Sequence, residues 1–412
     1  MLELIAILSL LFAVFIGFWK DINVGLVALT FALILGHYVG GIPVDDIIGH
    51  WPLTLFFTTF GVTLLFSIAK LNGTLEKLSR KIIYLSKGRK ALIPIIFYFL
   101  ALVLAAIGPG NISTSALLLP IGLAIAGKTG ISILMMSSLI ILGSIAGGLS
   151  PLAPNGIVAL QLAEDHGVGE LGFGIFVNNV ISITVFCALA YYLLGGRSYN
   201  GTRIEIDKPE PFDRIQTYTL ITIMVLVVWV MVGGVNVGFA SFALAAVLSL
   251  LNIADEKEAL MGVPWSTLLL ISGTAVLINV IDTLGGVELL TGFLASLMNE
   301  YTALPILAVL SGVMSIFSSA VGVVMPTLIP TTASLSDELG NVFSPSILTG
   351  VIAVGSHITT VSPFSTMGAL ALATAPDHVD RKKLFKDLFI MAFIAGLFFA
   401  LFSLTPGFGI LL

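Results

Sequence analysis

The chain alternates long apolar runs with short polar segments. A helix needs about 20 apolar residues to cross a hydrocarbon core of about 30 Å, so each uninterrupted run of about that length predicts a membrane-crossing helix. Such runs are predicted over residues 2–18, 22–40, 51–70, 171–194, 216–232, 237–253, 264–282 and 386–405. Amphipathic surface helices are predicted over residues 73–88 and 286–299.

Four further apolar segments are interrupted by Gly, Pro, Ser and Asn. Within a bilayer, exposed backbone polar groups persist only where protein or a wet cavity covers them. We therefore predict one re-entrant helical hairpin and one broken transmembrane helix in each half of the chain, with a binding site where they meet. In chain order these are the hairpin 90–127, the broken helix 131–166, the hairpin 302–336 and the broken helix 346–375.

The Gly and Pro positions recur after 212 residues. GSIAGGLSPLAPNG begins at Gly143, and GSHITTVSPFSTMG begins at Gly355. The same offset carries Pro52 onto Pro264. Chance similarity between apolar sequences would not keep this register, so we infer an internal duplication. Its parts are repeat 1 (1–194, with scaffold helices 2–70), a linker (195–214) and repeat 2 (215–412, with scaffold helices 216–282).

The basic residues predict how the chain is oriented. Five crossings in each half give about ten in all and place the two repeats in opposite topology. With both termini outside, all 18 Lys and Arg residues fall on the inner side, as the positive-inside rule requires. The sequence thus predicts an all-α, multi-pass protein of the cell inner membrane with a cytoplasmic linker. Inverted repeats with helices broken in equivalent places are typical of secondary transporters.

The composition of the chain limits which classes of membrane protein it can belong to. Only 10% of residues are charged, against about 25% in soluble domains. Five His and one Cys offer no ligand spacing for a catalytic metal, so an intramembrane enzyme is disfavoured. The predicted spans hold no Asp, Glu, Lys or Arg in their interiors, which disfavours a cation/proton antiporter. An anion channel remains a rival, because only flux measurements separate it from a carrier.

The first tip, Gly108-Pro109-Gly110-Asn111, joins two arms of the hairpin. The arm that begins there directs free N–H groups and the positive end of its dipole toward the tip, and that end suits a carboxylate. The preceding arm ends in free carbonyls, which suit a cation. Side-chain polar groups are added by Asn111, Ser113 and Thr114. The simpler alternative is that Asn111 only caps the helix.

Polar residues also gather at the two breaks. The first break is Ser150 to Asn155, with two prolines, and the second is His357 to Thr366, with five hydroxyls. His357 is predicted to be a neutral hydrogen-bonding residue, although it could carry a proton in an alternative, proton-coupled carrier or anion exchanger. Because no charged side chain offsets an anion, we predict that Na⁺ ions bind with it and cross together with it.

These motifs resemble those of the ion-transporter superfamily, which includes the divalent anion/sodium symporters. That family's hairpin tips read Ser-Asn-Thr-Ala-Thr with Pro nine residues after the Asn, and here Asn111 and Pro120 keep that spacing. The segments GIPVDDIIGHWPLTLFFTTFGVT and AKLNGTLEKLSRK resemble the MatC-type dicarboxylate carriers. Ile112 and Val321 depart from the tip motif, which puts the second carboxylate clamp and the second sodium site in doubt.

The resemblance implies a sodium-coupled symporter of a small dicarboxylate, malonate or a C4 acid, working as a homodimer by an elevator motion. It implies a first Na⁺ site at Gly108, Gly110, Asn111, Ser150 and Ala153. It implies a second Na⁺ site at Ser318, Ala320, Gly322, Ser362 and Ser365. Substrate would contact Asn111, Ser113, Thr114, Asn155, Ser319, Thr359, Thr360, Ser362, Ser365 and Thr366.

Overall fold

The protein is a bundle of helices. A computed structural model describes residues 2–169, 171–199, 201–202 and 208–412, and no strand occurs among them. Six helical stretches are long and apolar enough to cross a membrane. The chain is therefore a multi-pass membrane protein, while the count of ten crossings stays a prediction because the other apolar helices have only 10–17 residues. Residues 200 and 203–207 of the predicted linker lie outside the described residues.

Ten helices form the first half of the chain. They are α1 (Leu2–Lys20), α2 (Val24–Ala32, continued by a π-helical turn over Leu33–Val39), α3 (Val44–Gly49), α4 (Leu53–Leu71), α5 (Thr74–Tyr84), α6 (Leu92–Ala106), α7 (Gly110–Thr129), α8 (Ile133–Gly148), α9 (Pro154–Asp165) and α10 (Gly174–Leu193).

Eleven helices follow in the second half, after a 3₁₀ turn over Gly196–Tyr199. They are α11 (Arg214–Met231), α12 (Val237–Leu250), α13 (Glu256–Met261), α14 (Trp265–Thr283), α15 (Gly286–Leu297), α16 (Ala303–Phe317), α17 (Met325–Leu328), α18 (Thr332–Glu338), α19 (Pro345–Ile358), α20 (Thr366–Thr374) and α21 (Arg381–Phe402).

Helix starts repeat at the offset predicted from the sequence. α1, α3, α4, α5, α8 and α9 begin 212 residues before α11, α13, α14, α15, α19 and α20. The residues that precede α4 and α14, Pro52 and Pro264, also share their backbone angles, with φ of −76° and −78° and ψ of 76° and 67°. The recurring punctuation in the sequence thus corresponds to recurring local structure.

The two halves also exchange matching close contacts. A Cβ at Gly273 of α14 would lie 2.3 Å from the carbonyl oxygen of Gly25 of α2. A Cβ at Gly61 of α4 would lie 2.6 Å from the carbonyl oxygen of Gly238 of α12. Gly61 and Gly273 are equivalent positions, and so are Gly25 and Gly238. Each half therefore packs the same pair of helix faces against the other half, at backbone-to-backbone distance.

The second hairpin departs from the regular arms predicted for it. Its second arm consists of a π-helical turn over Ala320–Val324, then α17, a 3₁₀ turn over Ile329–Thr331, and α18. Pro326 and Pro330 lie within this arm, and each lacks the N–H that a continuous helix would use. The second arm of the first hairpin is more regular, because α7 is one continuous helix that tolerates its single internal proline, Pro120.

Candidate functional site

The first tip lies against the first break. A Cβ at Gly110 would lie 3.0 Å from Cδ of Pro154, and a Cβ at Gly148 would lie 3.4 Å from Cβ of Asn111. Gly108 has a φ of 142°, and a Cβ there would lie 1.9 Å from the Phe66 ring. Only glycine fits at position 108, because both the backbone conformation and the neighbouring ring exclude a side chain.

Asn111 lies at the centre of this contact. Its side chain is 6% exposed, and its Oδ1 accepts a hydrogen bond from the N–H of Ile112 at 2.9 Å. That bond leaves one lone pair of Oδ1 and the side-chain amide group for a ligand. Asn111 is therefore held at the start of α7 without using its whole hydrogen-bonding capacity, which is compatible with both the predicted ligand role and a capping role.

The two breaks have the same turn. In the first, the N–H of Ala153 donates to the carbonyl of Ser150 at 2.9 Å; in the second, that of Ser365 donates to the carbonyl of Ser362 at 3.0 Å. Gly156 and Gly368 then pass so close that a Cβ would lie 2.0 and 2.1 Å from those carbonyl oxygens. The glycines that follow each Ser-Pro pair are needed for this turn.

A hydrogen bond joins the two breaks. Nδ2 of Asn155 lies 2.9 Å from Nε2 of His357, and Nδ1 of His357 lies 2.8 Å from the carbonyl oxygen of Ala353. Because a carbonyl only accepts, the proton is on Nδ1, and Nε2 accepts from the Asn155 amide. His357 is fully buried and has both ring nitrogens satisfied in its neutral form, as the hydrogen-bonding interpretation predicts.

The other hydroxyls of the second break bond mainly to backbone. Thr359 donates to the carbonyl of Gly312 at 3.0 Å, and Thr360 donates to that of His357 at 2.6 Å. Ser362 accepts from the N–H of Phe364, while Ser365 donates to the carbonyl of Thr360 and accepts from Gly368. Thr366 is exposed. The structure thus places these residues around the break, and their contact with substrate stays a prediction.

The second tip uses its polar groups locally. Ser319 accepts the N–H of Gly322 at 3.0 Å, and Ser318 donates to the carbonyl of Met314 at 2.6 Å. Ala320 is buried, and a Cβ at Gly322 would lie 2.5 Å from Leu270. Both tips therefore press on equivalent helices, α4 for the first and α14 for the second, but no counterpart of Asn111 lies at the second tip.

A small pocket of about 40 Å³ lies beneath the first tip, between α4 and α7. Its polar lining consists of Thr63, Ser67, Lys70, Ser113 and Thr114. Thr114 is 1% exposed, and its Oγ1 has no hydrogen-bond partner within the described part of the chain. A buried hydroxyl without a partner costs free energy, but six other buried side-chain atoms of the described residues share this feature, so it does not by itself mark a ligand site.

Lys70 was missed by the sequence analysis. Lys70 is the last residue of the predicted crossing 51–70. The interior of that span holds no charged residue, but its last turn does. The structure extends α4 through Leu71 and turns Lys70 toward the pocket that Ser113 and Thr114 line. The signal was available: Lys70 follows Phe66 and Ser67 at helical spacing on one face of α4.

Neighbouring residues fix the first broken helix in place. Nδ2 of Asn179 in α10 donates to the carbonyls of Ile145 and Ala146, at 2.8 and 3.0 Å, near the C-terminal end of α8. Ser115 of α7 is hydrogen-bonded to Ser144 of α8 at 2.7 Å. Among the described residues, no group of three or more His, Cys, Asp and Glu is arranged to hold a metal ion.

Comparisons with known proteins bear on this arrangement. Residues 1–148 match the family model described as the dicarboxylate carrier protein MatC N-terminus, which confirms the resemblance drawn from the sequence. The chain is similar to the solved structure of the YdaH transporter of Alcanivorax borkumensis, described as having an unusual topology. That similarity has a TM-score of 0.58 at 15% identity and covers 87% of this chain and 86% of that one, so it shows the fold alone. No curated protein sequence matches the chain.

Proposed function

We propose that the protein is a secondary transporter of small dicarboxylates. The observation that carries this proposal is the contact between the first tip and the first break, where Gly110 meets Pro154 and Asn111 meets Gly148. A helix beginning at such a contact offers its free N–H groups to a carboxylate. The match of residues 1–148 to a dicarboxylate carrier family supports the same substrate class, and a carrier rather than an enzyme.

We propose further that Na⁺ is co-transported. A dianion bound by neutral groups needs compensating positive charge, and oxygen ligands without a carboxylate suit Na⁺ better than a divalent ion. Candidate ligands are the carbonyls of the tip and Oγ of Ser150, which is 4% exposed. The neutral hydrogen bonding of His357 leaves it without a free site for a coupling proton, which favours Na⁺ over H⁺.

The transport cycle proposed here uses the two repeats in inverted topology, with about ten crossings. The hairpins and broken helices would move together against α1, α2, α11 and α12, in an elevator motion within a homodimer. Supporting this division, the first tip contacts the first break, and the first break is hydrogen-bonded to the second. Residues of α1 and α11, among them Phe12 and Met224, are exposed and apolar and suit contact with lipid or a second copy.

Uptake into proteoliposomes tests the proposal. Purified protein should accumulate labelled malonate or succinate when an inward Na⁺ gradient is imposed, and K⁺ in place of Na⁺ should abolish accumulation. Uptake that ignores Na⁺ but follows a pH step would contradict sodium coupling and support a proton-coupled mechanism using His357. Flux that does not saturate in either direction would indicate an anion channel.

A further inference from the structure

A second cavity opens beside the pocket beneath the first tip. It has a volume of about 810 Å³ and lies between α5, α7 and the described end of the linker. Its basic side chains come from three separate segments: Lys77 and Arg80 from α5, Lys128 from α7 and Lys208 from the linker. The volume is large enough for a hydrated small dicarboxylate, since ligand pockets commonly span about 300–1,000 Å³.

The described residues that line this cavity carry an excess of positive charge. Its two acidic residues each face a basic one: Glu76 lies 2.8 Å from Arg80, and Glu210 lies 3.9 Å from Lys77. Lys128 and Lys208 are exposed and form no ion pair within the described ranges of the chain. Lys128 and Lys208 have no acidic partner among the described residues, and in this concave, partly apolar space they raise the local concentration of anions.

The cavity and the pocket share one face of α7. Thr114 and Leu117 line the pocket, and Ile121, Ala124 and Lys128 line the cavity. Their spacing of three or four residues places all five on the same side of the helix. The opposite wall is also continuous, because α4 and α5 supply Lys70 and Leu75 to the pocket and Lys77 and Arg80 to the cavity.

We propose that this cavity is a separate, weaker binding site for the dicarboxylate, occupied before or after the site at the first tip. Lys128 and Lys208 attract the dianion, and Lys70 at the mouth of the pocket passes it toward Ser113 and Thr114. Positive-inside orientation alone would place basic residues on this side of the membrane. It does not require that they converge on one cavity, and Lys257, Lys383 and Lys386 on the same predicted side do not line it. The proposal rests on the proposed function only for the identity of its ligand.

The test measures the electrostatic potential of the cavity without transport. Ala124 is exposed within the cavity, whereas the native Cys187 is buried. A cysteine in Ala124→Cys is reacted with methanethiosulfonate reagents of negative and positive charge in detergent, with the unmodified protein as the blank. The matched control is Ser198→Cys, which is exposed beside Arg197 but does not line the cavity. If Ala124→Cys fails to fold, Ile125→Cys serves as a second probe.

The negative reagent should react faster than the positive one at position 124, relative to position 198. Adding Lys128→Gln should lower that ratio roughly threefold to fivefold, as expected for one charge acting through water on reagents of opposite sign. Millimolar malonate should slow the reaction more than acetate at equal ionic strength. A ratio unchanged by Lys128→Gln and by Lys208→Gln would overturn the proposal, and so would equal slowing by acetate.

This experiment distinguishes failure of the proposed cavity site from failure of the proposed transport function. A protein that does not accumulate malonate can still show the charge preference and protection by another dianion such as sulfate. That result would retain an anion site and reject the dicarboxylate as its ligand. A protein that transports malonate with Na⁺ but shows no charge preference at position 124 would retain the proposed function and reject the cavity as a binding site.

Discussion

The pocket beneath the first tip and the pocket beneath the second tip share one wall, which equivalent positions of α4 and α14 supply. Phe66 and Ser67 of α4 line the first, and the residues 212 positions later in α14, Ile278 and Asn279, line the second. The two pockets have similar volumes, of about 40 and 30 Å³. Each half therefore contributes the same face of one helix to a small pocket.

The chemistry of the two pockets has diverged. The first is lined by hydroxyls and Lys70, while the second is lined by Asp165, His166 and several aliphatic side chains. At the tips, Asn111 has Val321 as its counterpart. We therefore predict an anion site in the first half, next to a break that is hydrogen-bonded to His357 of the second half. Because the polar linings of the two pockets differ, we predict that the two halves contribute differently to binding.

Loss of Asn111 should have the largest effect. Asn111→Ala removes the one amide side chain at the first tip, so we expect Na⁺-dependent malonate uptake to fall by about 100-fold or more, a loss of about 2.7 kcal/mol or more. Its counterpart variant, Val321→Ala, should retain uptake within about threefold, as expected for a change of about 0.7 kcal/mol or less. Transport by both is measured in proteoliposomes, with protein folding checked by size-exclusion chromatography.

The matched control on the first tip is Ile112→Ala, because Ile112 is an exposed neighbour that offers no polar group. Normal transport by Asn111→Ala would mean that Asn111 only caps the helix. The main functional difference predicted between the two tips would then not exist. Equal losses in Asn111→Ala and Val321→Ala would mean that both halves bind ligand, despite their different tips.

Loss of the hydrogen bond between the two breaks should have the next largest effect on transport. His357→Leu leaves the Asn155 amide without its acceptor, and a buried unpaired donor costs about 1–3 kcal/mol, so transport should fall about tenfold. His357→Gln offers a carbonyl oxygen that can accept the same bond and should restore much of the activity. Uptake by His357→Gln should keep the same dependence on pH between 6 and 8 as the unmodified protein.

His378→Leu is the control for that pair, since His378 is exposed on the loop between α20 and α21. If His357→Gln instead loses Na⁺ dependence or changes its pH profile, His357 takes part in ion coupling. The second half would then contribute an ion-binding group rather than a positioning residue.

Neutralising Lys70, whose counterpart in the second half carries the opposite charge, should have a moderate effect. Lys70 has Asp282 as its counterpart, 212 residues later in α14. Because Lys70 is exposed, its attraction for a dianion is partly screened, and Lys70→Gln should raise the KM for malonate about threefold to tenfold. Asp282→Asn should leave that KM unchanged. A larger effect at Asp282 would place the anion nearer the second pocket than the first.

Much of this organisation could be predicted from the sequence because Gly and Pro act through the backbone. Gly156 and Gly368 have no room for a Cβ. Glycine is therefore required there, and its positions in the sequence show where the two helices break. The short helices α3 and α13 were not predicted, since six residues show too little periodicity to be detected. Two features depend on how helices distant in sequence pack against each other: the pairing of Asn155 with His357, and the position of Lys70 beneath the tip. The periodicity of the sequence does not show this packing.

The smallest predicted effect concerns how the two broken helices restart. Ser365 caps α20 by accepting the N–H of Gly368 at 3.1 Å, whereas Ala153, its counterpart, gives α9 no side-chain cap. Ala153→Ser should create the same bond to Gly156 and raise stability by about 1 kcal/mol, seen as a small rise in Tm. If Ala153 contributes only its carbonyl to a Na⁺ site, the Na⁺ dependence of transport should not change. A weaker Na⁺ affinity together with a higher Tm would show instead that the uncapped start of α9 is itself used for ion binding, and that the two breaks differ in function for this reason.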